Sequence, residues 1–345
     1  MQPFIAMSDE DRSRFCREAE ARTGLSPASI EMDFWVCWIL QQLFTLPEWG
    51  THLTFKGGTA LSKGWKLIQR FSEDIDIVVA REFLGFGGNA SPERAPSKKQ
   101  RRARLDALKQ ECQKRIRERL SPTLKDRVRQ TLPAGLSWDL VPATAEEDPD
   151  GQTLLFNYPG TLTGTVAYLR PVVKIELGAR SDTEPSASPV IRPYLAEAFP
   201  GTFGPSEFPV HALLPERTFW EKAMLLHEET YRPTEKARKS RLARHYYDLW
   251  CLIERGIAAR AAQDPALFTR AATHREIYFN WSWMDYRTLR RGTLRLLPLE
   301  SQMAEWRRDY QAMTGEMFFG AVPTFDEIMR VVGEFERTLN GSKGT

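Results

Sequence analysis

The chain has 345 residues, of which 42% are hydrophobic and 27% charged, a composition typical of a globular protein with room for one or two domains. Its formal net charge is only +3, so overall charge neither indicates nor excludes a nucleic-acid partner. The four cysteines are scattered without Cys-x-x-Cys spacing, which argues against a zinc site or a disulfide framework and favours a reducing, cytoplasmic location.

Two helices are predicted at the start of the chain. Ser8 is followed by three acidic residues, a pattern typical of a helix N-terminus and not of a signal peptide. Ser26 and Pro27 predict a second helix, which carries an apolar stripe. Residues 34–44 of this helix are the most apolar run, but the run is short and contains two glutamines, so we expect a core helix and no membrane anchor.

Residues 55–79 carry the most informative pattern. It predicts a short strand, a turn at Gly57 and Gly58, about 16 residues of helix, and an apolar strand bearing Asp74 and Asp76. Side chains alternate along a strand, so both carboxylates face the same side. Like charges this close repel unless a cation separates them, and Mg²⁺ (or Mn²⁺) is the expected occupant. The turn can bring backbone N–H groups to a phosphate, so the combination predicts a nucleotide site.

Taken separately, the Asp-x-Asp pair and the Gly-Gly pair are weak evidence for a nucleotide site. An Asp-x-Asp pair can mark the end of a surface strand, and a Gly-Gly pair usually marks a turn. The pattern also lacks the second glycine of a P-loop. Further candidates for phosphate contact are Ser72, Lys63 and Thr59, although Thr59 can equally cap the helix and a lysine is by default a surface residue.

A strongly basic helical region is predicted at 98–130, after a loop rich in glycine, proline and serine. Between residues 92 and 130 there are 14 Lys/Arg against 5 Asp/Glu, an excess of nine positive charges. Apolar residues recur at helical spacing, so one face is expected to pack. The basic face is either a solvated helix surface or a contact for a phosphate backbone.

The rest of the chain predicts strands followed by helices. A Ser/Pro-rich break at 180–190 separates the two, and the sequence is mainly helical after Pro215. The predicted class is therefore α+β, a mixed α/β sheet core with N-terminal helices and a helical C-terminal lobe. We predict a core domain at 1–200, with the basic helical insertion, and a helical domain at 201–345. The predicted strands are 136–141, 153–158 and 165–177.

A third carboxylate is available on the last of these strands. Val173, Ile175 and Leu177 are expected to face the core, so Lys174 and Glu176 share the opposite face. Glu176 is the candidate third metal ligand beside Asp74 and Asp76. The alternative is a Lys174–Glu176 pair on a solvent-exposed face.

Two charged residues stand out in the helical part. Lys222 lies at the edge of an apolar helix face, where a lysine either extends to water or meets an anion. Asp248 lies among apolar neighbours, where a carboxylate is costly unless paired. Arg244, one turn earlier, is its local partner, and Lys222 is the possible functional one.

Several segments beyond 55–79 complete a family pattern. They are 172–177 (Val-Val-Lys-Ile-Glu-Leu), 216–225 (Glu-Arg-Thr-Phe-Trp-Glu-Lys-Ala-Met-Leu), 244–250 (Arg-His-Tyr-Tyr-Asp-Leu-Trp) and the tail 309–340. Together they resemble the AbiEii-type nucleotidyltransferase toxins, a branch of the DNA polymerase β-like nucleotidyltransferase superfamily that includes the MenT toxins. The resemblance covers roughly residues 30–340.

The resemblance implies a Mg²⁺-dependent nucleotidyltransferase that moves NMP from an NTP substrate to an acceptor. It implies a bacterial toxin with a cognate antitoxin, and tRNA, at its 3′ end, or another RNA as the acceptor, so that translation is blocked. It also implies that Lys222 binds the triphosphate and that Asp248 belongs to the active site with Asp74 and Asp76. The alternatives are a small-molecule or protein acceptor, or a catalytically silent nucleotide-binding protein.

Residues 278–287 form an aromatic segment that is followed by several arginines. Interleaved aromatic and arginine side chains can stack on single-stranded nucleic acid. The alternative, which the density of aromatics favours, is a packed core with a basic rim.

Overall fold

The computed structural model describes residues 1–71, 74–162, 171–315, 317–320 and 322–341. The chain forms two compact units, of which the first is Met1–Gly64 with Phe71–Leu213 and the second is Trp65–Arg70 with Leu214–Thr345. The division after Leu213 lies later than the predicted one at 200–201. The predicted Ser72 and the first part of the strand predicted at 165–177 lie outside the described residues.

The first unit begins with the two predicted helices. Ser8 and Ser26 are their N-caps, and each side chain accepts the N–H of the residue three positions later. Among the described helices, none combines the length and apolar character that crossing a membrane requires. The helices of this unit are α1 (Gln2–Ile5), α2 (Asp9–Thr23), α3 (Pro27–Phe44), α4 (Gly57–Thr59), α5 (Lys98–Arg115), α6 (Ser121–Thr131) and α7 (Tyr194–Ala198).

The helix after the glycine turn is much shorter than predicted. α4 continues as a single π-helical stretch, Ala60–Gly64, and the following residues are irregular. Lys66 has a left-handed backbone with φ of 54°, which ends the helix. The prediction of a long helix is therefore wrong. The helix stops early because the segment Trp65–Arg70 belongs to the second unit and not to the first.

The strands of the first unit build a mixed sheet, which confirms the α+β class. Within the described residues the main sheet has seven strands in the order β3-β4-β5-β2-β1-β9-β6, and β7 and β8 form a separate pair. β2 pairs parallel with β5 and antiparallel with β1. The strands are β1 (Leu53–Lys56), β2 (Asp74–Val79), β3 (Asp139–Pro142), β4 (Thr153–Asn157), β5 (Val172–Gly178), β6 (Ser186–Ala187), β7 (Val190–Ile191), β8 (Phe208–Pro209) and β9 (Ala212–Leu213).

One face of this sheet is apolar and covered by α3. Trp38 of α3 stacks on Phe156 of β4, with ring centroids 5.7 Å apart. Phe156 pairs with Val173, and Ile75 pairs with Ile175, so these buried side chains share that face. The alternate residues of β2 and β5 therefore project from the opposite face.

The basic helical region folds as predicted. Ser97 caps α5, and a π-helical stretch, Ile116–Leu120, joins α5 to α6. Lys109 and Lys125 form ion pairs with Asp150 and Asp139, at 2.6 and 2.8 Å. Part of the positive charge is thus neutralised by acidic residues of the same unit.

The second unit is helical, as predicted. The segment Trp65–Arg70 is held inside it, because the Tyr247 hydroxyl donates to the carbonyl of Gln69 at 3.2 Å and Arg70 forms a β-bridge with Phe318. Its helices are α8 (Pro215–Thr230), α9 (Arg244–Glu254), α10 (Ile257–Gln263), α11 (Pro265–Tyr278), α12 (Glu300–Thr314) and α13 (Phe325–Gly341).

Candidate functional site

The polar face of the sheet carries the predicted carboxylates side by side. Asp74 and Asp76 alternate with buried isoleucines along β2, so both project from the face opposite α3. In the parallel pairing with β5, Asp76 lies directly beside Glu176. On its other side Asp76 pairs with Lys56 of β1. The sheet register alone therefore brings three carboxylates and a lysine onto one half-buried surface.

The glycine turn lies against this surface. Gly57 has φ of 77°, a left-handed conformation that favours glycine. A Cβ at Gly57 would overlap the Asp76 carboxylate. Glycine is thus required here for two independent reasons, and the backbone of the turn directly adjoins the acidic side chains.

Thr59 ties the turn to the carboxylate strand. Its side chain is buried, and its hydroxyl donates a short hydrogen bond to the backbone carbonyl of Asp74. Gly58 is buried beside it. The hydroxyl thus has a structural role in this conformation, and phosphate contact by Thr59 stays a prediction from the sequence.

Glu176 is engaged with its own strand. It forms an ion pair of 2.5 Å with Lys174, the pairing that the sequence left as an alternative. Burial lowers the pKa of Lys174, but hydrogen bonding and attraction to Glu176 outweigh burial and leave it above the ordinary value. In the part of the chain that the structure describes, no set of three His, Cys, Asp or Glu side chains is arranged to hold a metal. Asp74 and Asp76 still offer the hard oxygen ligands that Mg²⁺ prefers.

Lys63, a predicted phosphate ligand, is engaged with a carboxylate of α3. Its ammonium is buried, lies 2.7 Å from the Asp33 carboxylate, and sits 3.4 Å from the centre of the Tyr194 ring. Burial lowers the pKa of Lys63, but attraction to Asp33 outweighs it and holds the lysine charged. In this conformation Lys63 anchors the helix after the turn onto α3, and phosphate contact by Lys63 stays a prediction from the sequence.

The second unit contains a buried ionic cluster around Asp248. Arg70 donates to both carboxylate oxygens, from Nε at 2.7 Å and from Nη2 at 2.9 Å. The Lys222 ammonium lies 2.8 Å from Oδ2 of Asp248 and 3.3 Å from Nδ1 of His245. Asp248 is fully buried and Lys222 is 6% exposed. Since a buried carboxylate needs partners, the two cations explain how Asp248 is tolerated.

The cluster keeps Asp248 ionised and lowers the pKa of Lys222. Burial raises the pKa of Asp248, but the charges of Arg70 and Lys222 outweigh it and bring the pKa below the ordinary value. Burial lowers the pKa of Lys222 and Arg70 lowers it further, against the opposing pull of Asp248. Burial and the Lys222 charge likewise lower the pKa of His245.

The sequence identified one partner of Asp248 wrongly and missed another. Arg244 instead donates to the carbonyl of Arg241 at 3.1 Å. The bidentate partner is Arg70, which lies 178 residues away in sequence. Arg70 lies in the segment where the sequence predicted a helix, and no pattern in the sequence marks it as a partner of Asp248.

The match to a known family decides the assignment. Residues 38–331 match the family described as nucleotidyl transferase AbiEii toxin, type IV toxin–antitoxin system. The chain belongs to the AbiEii family. This confirms the resemblance seen in the sequence, since the match includes the glycine turn, both aspartates and the Lys222 and Asp248 segments.

Comparison with individual proteins adds little to the AbiEii assignment. Among solved structures, the chain is similar to MenT4, nucleotidyltransferase toxin Rv2826c from Mycobacterium tuberculosis H37Rv. The identity is 13%, the TM-score is 0.36, and the alignment covers 96% of this chain and 99% of that chain. The comparison with curated proteins gives no match. The assignment therefore rests on the family match.

Proposed function

We propose that this chain is a Mg²⁺-dependent nucleotidyltransferase that transfers NMP from an NTP to an RNA acceptor such as the 3′ end of tRNA. The observation that carries the proposal is the glycine turn against the carboxylates, where a Cβ at Gly57 would overlap Asp76. A phosphate held by the turn would then lie next to a metal held by Asp74 and Asp76. In a family of nucleotidyltransferase toxins, this arrangement supports phosphoryl chemistry.

The reaction needs positioning more than covalent chemistry from the protein. An acceptor hydroxyl oxygen forms a bond to the α-phosphorus, the bond to the bridging oxygen breaks, and pyrophosphate leaves while the hydroxyl proton passes to solvent. When bound, Mg²⁺ would neutralise the negative charge that develops on the phosphate oxygens. The backbone N–H groups at Gly57 and Gly58 would orient the triphosphate.

Asp74 and Asp76 would hold the metal, because they share one half-buried face and carry the hard oxygen ligands that Mg²⁺ prefers. Glu176 is proposed as the third ligand, which requires its carboxylate to leave Lys174. Lys222 keeps the role in triphosphate binding that the family resemblance implies for it. Since Asp248 is fully buried and bonded to two cations, we propose that it positions Lys222 rather than touching substrate.

An RNA acceptor is favoured by the exposed basic residues of α5 and its continuation. Lys98, Lys99, Arg102 and Arg119 are exposed, and no acidic partner of theirs occurs within the described residues. Such residues suit a phosphate backbone. As an AbiEii family member, the chain would act as a toxin that blocks translation by modifying tRNA, and a cognate antitoxin would restrain it.

The proposal is tested by transfer of label. The purified chain is incubated with each α-phosphate-labelled NTP, Mg²⁺ and total tRNA, and RNA and protein are then separated. Label on RNA that depends on one or more NTPs is expected. Label on protein alone would contradict the RNA acceptor, and absence of label from RNA, protein and small-molecule fractions would contradict nucleotidyl transfer.

A further inference from the structure

The second unit exposes a stacked pair of tryptophans. The indole rings of Trp281 and Trp283 are nearly parallel, at 11°, with centroids 5.8 Å apart. Trp281 is 42% exposed, although the density of aromatics in this segment favoured a packed core. Among the described residues, Val190 and Leu299 are the other large hydrophobic side chains that are exposed. An exposed ring that already stacks on a second ring presents a flat, apolar face to solvent.

The pair is held in place before any ligand binds. The backbone N–H of Trp281 donates to the Tyr286 hydroxyl at 3.0 Å, and the Trp281 carbonyl accepts from Met284 at 3.1 Å. Arg287 is fixed by two side-chain hydrogen bonds of 2.9 Å to Asp285. A ligand that stacks on Trp281 would therefore order little of the loop, which lowers the entropic cost of binding.

The surroundings of the pair are strongly basic. The Arg232 guanidinium lies 5.4 Å from the Trp283 ring centroid, and two hydrogen bonds of 2.6 Å to Glu229 hold it there. Residues 232–241 contain five Lys/Arg against one acidic residue, and Lys236 and Lys239 are exposed. Beyond the loop, Arg290 is also exposed. Glu229 pairs with Arg232 and Arg238, so the exposed positive charge beside the aromatic pair comes mainly from Lys236, Lys239 and Arg290.

We propose that Trp281 and Trp283 form a stacking platform for unpaired bases of an RNA, with the adjacent basic segment 232–241 contacting its phosphates. Every base has a face that can stack on an indole, and single-stranded nucleic acid supplies flat rings and regular negative charge together. A protein partner would be expected to cover a larger apolar patch than one exposed ring. The inference rests on the proposed function, because it gives the RNA acceptor a binding surface.

Direct binding tests this platform without requiring catalysis. The affinity of the full chain for a short, labelled single-stranded RNA is measured by fluorescence anisotropy at fixed salt, without NTP or Mg²⁺. Trp281→Ala is expected to raise Kd about 5- to 100-fold, because one stacked base is lost. Trp281→Phe should retain most of the affinity. Leu299→Ala removes another exposed apolar side chain from the same unit and should change nothing.

The salt dependence of RNA affinity tests the basic segment 232–241 separately. For single strands, each phosphate contact contributes about 0.7 to the slope of log affinity against log salt. Lys236→Ala/Lys239→Ala should therefore flatten that slope by about 1.4 while leaving the effect of Trp281→Ala intact. An unchanged slope would remove the phosphate contacts from the proposal.

The outcomes separate this inference from the proposed function. RNA binding that depends on Trp281 without any NMP transfer would support the platform and contradict the proposed function. Transfer to RNA with unchanged Kd and KM in Trp281→Ala would overturn the platform alone. Unchanged affinity of Trp281→Ala for the labelled RNA would overturn the platform whether or not transfer is observed.

Discussion

Gly57 has a role that side-chain chemistry alone would not suggest. Its φ of 77° disfavours any other residue, and the space where a Cβ would lie is filled by the Asp76 carboxylate. We predict that Gly57→Ala lowers NMP transfer by about 100-fold or more, because the carboxylate must move from its position beside the turn. Steady-state transfer rates measure the effect.

Gly85 supplies the matched control for this substitution. It has a similar left-handed backbone, with φ of 87°, and, chain neighbours aside, no heavy atom of the described residues lies within 4 Å of its Cβ position. Both alanine variants should lose about 1 kcal/mol of stability from backbone strain. Equal activity of Gly57→Ala and Gly85→Ala would show that contact with Asp76 is unimportant.

Substitution of Arg70 and of Arg244 distinguishes which arginine is the partner of Asp248. Arg70 binds the buried carboxylate with two hydrogen bonds, whereas Arg244 bonds a backbone carbonyl. Removing one partner of a buried ion pair leaves a charge without compensation, so Arg70→Met should lower the free energy of unfolding by about 3–5 kcal/mol. Arg244→Met should cost about 1 kcal/mol, the net value of one hydrogen bond.

Chemical denaturation of the two variants measures this difference. The reverse order of stabilities would restore Arg244 as the partner that the sequence suggested. Lys222→Met gives an independent check, since loss of NMP transfer beyond that caused by Arg70→Met would indicate that Lys222 acts on substrate as well as on Asp248.

At the scale of elements, α8 carries a buried histidine whose charge state affects stability. The backbone N–H of Arg295 donates to Nδ1 of His227 at 2.8 Å, and Nε2 lies 2.9 Å from the Thr288 hydroxyl. The Thr288 hydroxyl donates to the Asp285 carbonyl, so it accepts from Nε2–H and the ring is held neutral. Burial is the main cause that lowers the pKa of His227 to about 4.

This pKa predicts acid sensitivity of the second unit. The folded value of about 4 lies below the ordinary 6.5, so the contribution of neutral His227 is complete above pH 6.5 and is lost as pH falls towards 4. Wild type should lose about 3 kcal/mol more than His227→Gln over this range. Urea denaturation at a series of pH values measures it, and parallel pH profiles of the two proteins would contradict the prediction.

The short helix α4 shows where sequence reasoning fails at this scale. Apolar spacing after Gly58 indicated a long helix, but the chain leaves the first unit at Trp65. The reason is tertiary, since Arg70 meets the buried Asp248 and Gln69 accepts from Tyr247. A local periodicity cannot report a partner that lies far away in the sequence.

Across the whole molecule, the features that depend on local chemistry could be predicted from the sequence. Helix caps at Ser8 and Ser26, the common face of Asp74 and Asp76, and the helical second part follow from capping and alternation. The register that sets Asp76 beside Glu176, the burial of Lys63 and the exposure of Trp281 depend on tertiary packing. The family pattern identified the candidate residues, whereas the ionic partners required the fold.

The proposed activity depends on the two aspartates of β2. The most direct measurement compares NMP transfer from labelled NTP to RNA by wild type, by Asp74→Asn/Asp76→Asn, and by the control Asp139→Asn/Asp150→Asn, which removes two acids of the same unit. Transfer should fall about 1000-fold or more in the first variant, because the metal ligands are lost, and stay near wild type in the control. Undiminished transfer by Asp74→Asn/Asp76→Asn would contradict the proposed site.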